Sequence, residues 1–294
     1  MARRRRPSID SAKRGGHGGL IVGLIVIILL VAVGYLLFGG DKGTTPPVTN
    51  GVSSAEVLSK AIDATGKANS QSFTIQGSVA MSTRGNNIPI LMSGDGELDT
   101  NQKRMRIKID VTLPPTPLSA ETKQSVETYV IGNTLYTFDG TTWRKTTSST
   151  DLWGERQAPQ RLIDFLTGTR SELLGSENIA GKDAYKIAIK PTVRELLDEL
   201  SGLQPMGSSL PALTENNIAE IENSVRAMGI TMWVEKGTYY PIRVDMNLGF
   251  EFTEGTQKLN VDIKMSLSTL YNVPVSVNLP MAAETAIDSG VSGF

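Results

Sequence analysis

Apolar and polar residues alternate with a period of two over most of the chain beyond residue 70, and this predicts a strand-rich domain. Phe73, Ile75, Val79 and Met81 alternate with Thr74, Gln76, Ser78 and Ala80. After Arg84-Gly85-Asn86-Asn87, a turn-forming stretch, Ile88, Ile90 and Met92 continue on a second strand. Met105, Ile107, Ile109 and Val111 alternate with Arg104, Arg106, Lys108 and Asp110, so that strand has one wet face. Shorter runs at Tyr129-Val130-Ile131 and Leu135-Tyr136-Thr137-Phe138 flank Gly132-Asn133, and Asp139-Gly140 turns the chain towards Trp143. A hairpin at Gly181-Lys182 leads into Tyr185, Ile187 and Ile189. Near the C-terminus, Ile242, Val244, Met246, Leu248, Phe250 and Phe252 predict one strand. Leu259, Val261, Ile263, Met265 and Leu267 predict the next. Val273, Val275 and Val277 close the pattern as an edge strand or a strand end, because Pro274 has no backbone donor.

Helical spacing takes over in four places. Ser53 and Glu56 form a capping box ahead of the stripe Val57, Leu58, Ala61, Ile62, Thr65 and Ala68. Leu162, Ile163, Phe165 and Leu166 suggest a short helix over 158–167. Val193, Leu196, Leu197 and Leu200 predict a helix over 191–203, and Ile218, Ile221, Val225 and Met228 another over 215–229. Long strands with one apolar face, together with helices to cover it, define an α+β fold.

The first forty residues follow a different pattern. Leu20 to Phe38 carries no charge and no proline, and as a helix it would span about 28 Å, close to the roughly 30 Å hydrocarbon core. Arg3, Arg4, Arg5, Arg6, Lys13 and Arg14 precede it, against Asp10 alone. The positive-inside rule then puts this tail in the cytoplasm and everything after Gly39 outside. A cleaved signal peptide is the rival reading, but the apolar run is long for one and Tyr35 to Gly40 offers no Ala-x-Ala site. The expected organisation is a basic tail (1–18), one transmembrane helix (19–38), a linker (39–52), an extracytoplasmic domain (53–288) and a C-terminal tail (289–294). The expected location is the cell membrane, single-pass.

Composition narrows the chemistry. Of 29 basic and 30 acidic residues, the exported part keeps 23 against 29, a net −6 that disfavours nucleic acid as a partner. The chain has no cysteine, so neither a disulfide nor a lipidated thiol holds it, and its only histidine, His17, lies in the basic tail. Histidine- and cysteine-dependent catalysis and the common zinc sites are therefore out of reach of the exported domain. Asp95 and Glu97, in Gly94-Asp95-Gly96-Glu97, are the remaining carboxylate pair of interest, and solvated acids at a strand or turn are their plainer reading. Trp143, beside Arg144 and Lys145, suits sugar contact or packing. The expectation is a non-enzyme without catalytic, metal or cofactor residues.

Several stretches carry a family resemblance. Tyr136-Thr137-Phe138-Asp139-Gly140-Thr141-Thr142-Trp143-Arg144-Lys145 is similar to the "Y…DG…W.K" stretch of LolA-like proteins, and Gly181-Lys182-Asp183-Ala184-Tyr185-Lys186-Ile187 to their "G…aYki" strand. Trp233-Val234-Glu235-Lys236 leading to Tyr240-Pro241, and the ending from Tyr271 to Pro280 with Ala282, Ala283 and Ala286, also resemble this superfamily. The chain over residues 53–288 resembles its LppX/LprG-type lipid-binding lipoproteins most closely, with a transmembrane helix where those carry a lipidated cysteine. The resemblance implies a half-open antiparallel β-barrel covering α-helices, with a hydrophobic cavity for the acyl chains of membrane lipid or lipoprotein. Candidate cavity residues are Phe73, Ile75, Met81, Met92, Met105, Ile107, Ile109, Met228, Met246, Leu248, Phe250, Ile263 and Met265. Methionines in strands, Met232 included, suit a surface that re-packs around varied partners, and they equally suit an ordinary core. Helices 191–203 and 215–229, joined by Gln204-Pro205-Met206-Gly207-Ser208-Ser209, would act as a movable cover. An envelope sensor and a structural surface domain with a filled core are the alternative functions.

Overall fold

The computed structural model describes residues 52–83, 86–115, 120–149, 153, 169–195, 215–254 and 257–292. The basic tail, the apolar span Leu20–Phe38, the helix expected over 158–167 and the stretch 196–214 lie outside the described residues. Among the described residues no helix is long and apolar enough to cross a membrane.

Helix α1 (Ser54–Gly66) starts where its capping box predicts: the Ser53 hydroxyl accepts the Glu56 N–H at 3.1 Å. Val57, Leu58, Ala61 and Ile62 on its apolar stripe are all buried. Strands β1 (Ser70–Thr83), β2 (Asn86–Asp99), β3 (Arg104–Leu113), β4 (Thr122–Ile131), β5 (Thr134–Phe138) and β6 (Trp143–Ser148) form a meander. A second run comprises β7 (Arg170–Ile179), β8 (Lys182–Lys190), β9 (Val225–Glu235), β10 (Pro241–Glu254) and β11 (Gln257–Tyr271). Between β8 and β9 lies α2 (Glu215–Ser224), and after β11 come α3 (Met281–Glu284) and β12 (Ile287–Ser292).

All twelve strands belong to one sheet, ordered β12-β6-β5-β4-β3-β2-β1-β11-β10-β9-β8-β7. Every pairing is antiparallel except that of β12 with β6. The two halves are joined by β1 and β11, which pair from Gln71↔Tyr271 to Thr83↔Leu259. Among the described residues the edges β12 and β7 do not pair with each other, so the sheet is unclosed.

Helix α1 shows that this sheet is curled. At its start the Ser54 hydroxyl donates to the Ser171 carbonyl on β7, and just past its end Thr100, after β2, donates to the Ala68 carbonyl. Strands β7 and β2 are six places apart, roughly 29 Å along the sheet at about 4.8 Å per strand. The fourteen-residue step from Ser54 to Ala68 covers only about 21 Å as helix. A chord shorter than its arc requires the strands to wrap round the helix, and a single core cluster accordingly joins α1 to residues from β1 to β4 and from β8 to β11.

Two expected elements differ. The helix expected over 215–229 stops at Ser224, and Val225 and Met228 begin β9. Here the helical stripe coincides with the alternation Met228, Ile230, Met232, Val234; pairing with β10, from Met228↔Leu248 to Val234↔Pro241, decides for strand. Residues 273–280, expected as an edge strand or a strand end, follow the end of β11 at Tyr271 and join no ladder, and two prolines in eight residues remove backbone donors. They are held instead by Ser70, whose hydroxyl donates to the Val273 carbonyl, and by Arg104, which donates to the Val277 carbonyl. The last described strand is β12, over Ile287–Ser292.

Candidate functional site

Antiparallel strands make the inner face a matter of parity. The registers Val79↔Ile263, Leu248↔Ile263, Met246↔Met265 and Leu248↔Met228 put these residues on one face across β1, β11, β10 and β9. Gly94↔Ile75 and Gly94↔Ile109 carry the same face through β2 to β3, and Met105↔Val130 to β4. Every candidate cavity residue lies on this face. Phe73, Ile75, Met92, Met105, Ile107, Met246, Leu248, Phe250, Ile263 and Met265 are buried in the common core, while Met81, Ile109 and Met228 are half-buried against it.

Burial falls along the strands from one end of the sheet to the other. At the base, where β2 ends and β3 begins, Leu98 and Met105 are fully buried and Val130 is 3 % exposed. At the opposite end, here called the mouth, Ile90, Ile109, Val111 and Leu113 are half-buried, and Ile88 and Val126 reach 42 % exposure. Among the described residues the apolar face therefore runs along β2 and β3 from a sealed base to a more exposed mouth, while on β4 Thr128 and Gln124 share the inward positions with Val130 and Val126. The sequence pattern marks Ile88 as a strand position but not as a cavity residue, and it does not mark Val126, which stands between Ser125 and Glu127 in a largely polar run.

Three glycines shape the interior. A Cβ on Gly96 would collide with the Phe73 ring, and one on Gly94 with the Lys108 carbonyl. At Gly77 a Cβ would meet Met92 Cε at 3.1 Å and Met265 Cγ at 3.8 Å, so two flexible methionines converge on a notch in β1. Thioether side chains can swing between rotamers at small cost, which makes this notch the adaptable part of the face.

The cover is only partly described. Thr192 and Glu195 form a reciprocal capping box, Glu195 N–H to the Thr192 hydroxyl at 3.2 Å and Thr192 N–H to the Glu195 carboxylate at 2.6 Å, opening a helical turn at 193–195. Arg194 reaches Glu222 of α2 at 3.8 Å, and Ile221 of α2 enters the core. The connection 204–209 lies outside the described residues.

The other conspicuous side chains face outward. Asp95 pairs with Arg106 on the neighbouring strand, with half of its side-chain surface exposed, so it lies on the opposite side of the sheet from the apolar face. Trp143 stacks on Phe138 at 5.1 Å and meets Tyr129 at 5.8 Å, packing within the sheet's outer surface. Burial pushes the Tyr129 phenol up from its ordinary pKa. Trp233 lies between the cations of Lys186 and Arg243, at 5.3 and 5.1 Å, and its indole N–H donates to Glu177 at 3.0 Å. That bond, with help from Lys186, holds the Glu177 carboxyl below its usual range. Among the described residues no group of histidines and carboxylates is placed to hold a metal ion.

Family models give no match to this chain, and neither do the sequences of curated proteins. Solved structures do. The chain is similar to the lipoprotein LppX of Mycobacterium tuberculosis at 17 % identity, over 76 % of this chain and 97 % of that one, with a TM-score of 0.36. It is similar to LprF of Mycobacterium bovis at 15 % identity, over 77 % and 96 %, with a TM-score of 0.38. A putative outer membrane lipoprotein-sorting protein domain from Vibrio parahaemolyticus aligns at 8 % identity over 70 % and 87 %, with a TM-score of 0.22.

Proposed function

We propose that this chain is a membrane-anchored, extracytoplasmic protein that takes the acyl chains of a lipid or lipoprotein on the inner face of its open sheet. The observation that carries the reading is the apolar inner face, sealed at Leu98 and Met105 and more exposed at Ile88 and Val126. A chain end could enter at the mouth and lie against side chains that offer it no unpaired charge. Methionines at the Gly77 notch supply the adaptability that varied acyl chains demand. The uncharged span Leu20–Phe38 behind its arginine-rich tail supports the anchor. The protein binds rather than catalyses on this reading, since its exported part has neither histidine nor cysteine.

Full-length protein extracted in a mild detergent and examined by native mass spectrometry tests the reading. Wild type should retain lipid that extraction releases. Val126→Asp, at a position 42 % exposed, should fold normally and lose most of that lipid. Wild type that comes through free of lipid, with Val126→Asp indistinguishable from it, identifies a filled core and defeats the proposal.

A further inference from the structure

We infer that the β1–β2 hairpin is a docking arm for the bilayer that holds the chain, resting its outer side on the lipid surface beside the mouth. The inference builds on the anchored, acyl-binding reading above. Strand β2 pairs with β1 up to Asn86↔Thr83, but β3 joins β2 only from Leu91↔Thr112 onward. Among the described residues, the first five residues of β2 therefore have one edge that joins no ladder.

In this arm the alternation of apolar and polar positions breaks down. Ile88, Ile90 and Met92 belong to the inner face, yet Pro89 and Leu91 between them, on the outer face, are apolar too. Leu91 is 55 % exposed and Pro89 is also exposed. Further along the same strand the outward positions turn polar, as Ser93, Asp95 and Glu97. Apolar outward positions at this end of the hairpin call for an apolar partner. Pro89 offers no backbone donor to the free edge, which disfavours a partner that adds a strand there. Further across the same outer surface, Arg226 pairs with Asp262 at 2.8 Å and Lys258 with Glu251 at 2.7 Å.

The topology also puts the arm on the side from which the chain approaches. Strand directions alternate from β2 across to β7, so the start of β7 lies at the mouth end with the β1–β2 tip. Ser54, at the first turn of α1, bonds to Ser171 at that start of β7, and Val52 just before it is 42 % exposed. A tether of fourteen residues (39–52) reaches at most about 50 Å, keeping this end near the bilayer.

The absence of native cysteine makes the test direct. Full-length Leu91→Cys, and Asn101→Cys at the base as control, are labelled with an environment-sensitive fluorophore and reconstituted into phosphatidylcholine vesicles. Position 91 faces away from the inner surface, so a bound acyl chain does not reach its label. The label at 91 should shift to the blue and be quenched several-fold more by nitroxide-bearing lipids than the label at 101. Equal quenching at the two positions overturns docking. So does a blue shift that grows with protein density and is not quenched by lipid, which would identify a second copy as the occupant. Lipid bound to the same preparation is measured in parallel: retained lipid with an unquenched label defeats the arm and spares the acyl-binding reading. A quenched label with no bound lipid does the reverse.

Discussion

The ring of Phe73 fills the space that a side chain on Gly96, its cross-strand partner, would need. Phe73 is 1 % exposed and cannot move aside without disturbing the sealed base. Gly96→Ala should therefore destabilise the fold by about 1–3 kcal/mol through overpacking. Adding Phe73→Leu should recover part of that loss, so a double-mutant cycle by denaturant titration should show coupling between the two positions.

Asp139 opens the β5–β6 turn, accepting from the Thr141 hydroxyl at 2.6 Å and from the N–H groups of Thr141 and Thr142. The hydroxyl bond, then the two N–H bonds, lower its pKa from 3.8 to about 2. A lowered folded pKa means that the charged carboxylate favours the folded state. This contribution is present above pH 3.8 and is lost as the pH falls towards 2. Asp139→Asn should flatten the pH dependence of melting temperature within that window and leave its shape at neutral pH unchanged.

Trp233 should report on the outer face of β8–β10. Trp233→Phe keeps a ring between Lys186 and Arg243 but removes the N–H bond to Glu177. The expected result is a modestly lower denaturation midpoint. The Glu177 carboxyl, no longer held by the indole, should titrate at a higher pH by NMR. An unchanged Glu177 titration would show that Lys186 alone sets it.

The anchor makes a topological prediction. Protease supplied outside the membrane should digest the domain and leave a small membrane-bound fragment containing the arginine tail. A soluble mature protein beginning near residue 40 would defeat the anchor.

Asp95 and Glu97 should be dispensable for any chemistry, since Asp95 is spent on an exposed pair with Arg106 across the sheet from the apolar face. Asp95→Asn should leave lipid content unchanged, as measured by extraction and mass spectrometry. Its effect on stability should stay within about 1 kcal/mol, the range of exposed ion pairs.

The sequence by itself determined which residues share a face. Alternation is a local property of strand geometry, so Ile107 and Ile109, or Ile263 and Met265, could be assigned to the inner side without knowing their neighbours. The start of α1 was equally local, since Ser53 and Glu56 lie within one turn. Tertiary structure alone decided which strands meet. Gln71 and Tyr271 pair across two hundred residues, and β12 lies parallel to β6, because backbone hydrogen bonds carry no side-chain signature of their partner. At Val225 to Met228 the local pattern permitted helix or strand, and the ladder offered by β10 chose strand. The same holds for function. Sequence marked the face as apolar, but the depth to which it is sealed at Met105 and opened at Val126 depends on how many strands curl round α1. Curvature is a property of the whole sheet, set by its twist and packing, and no single segment encodes it.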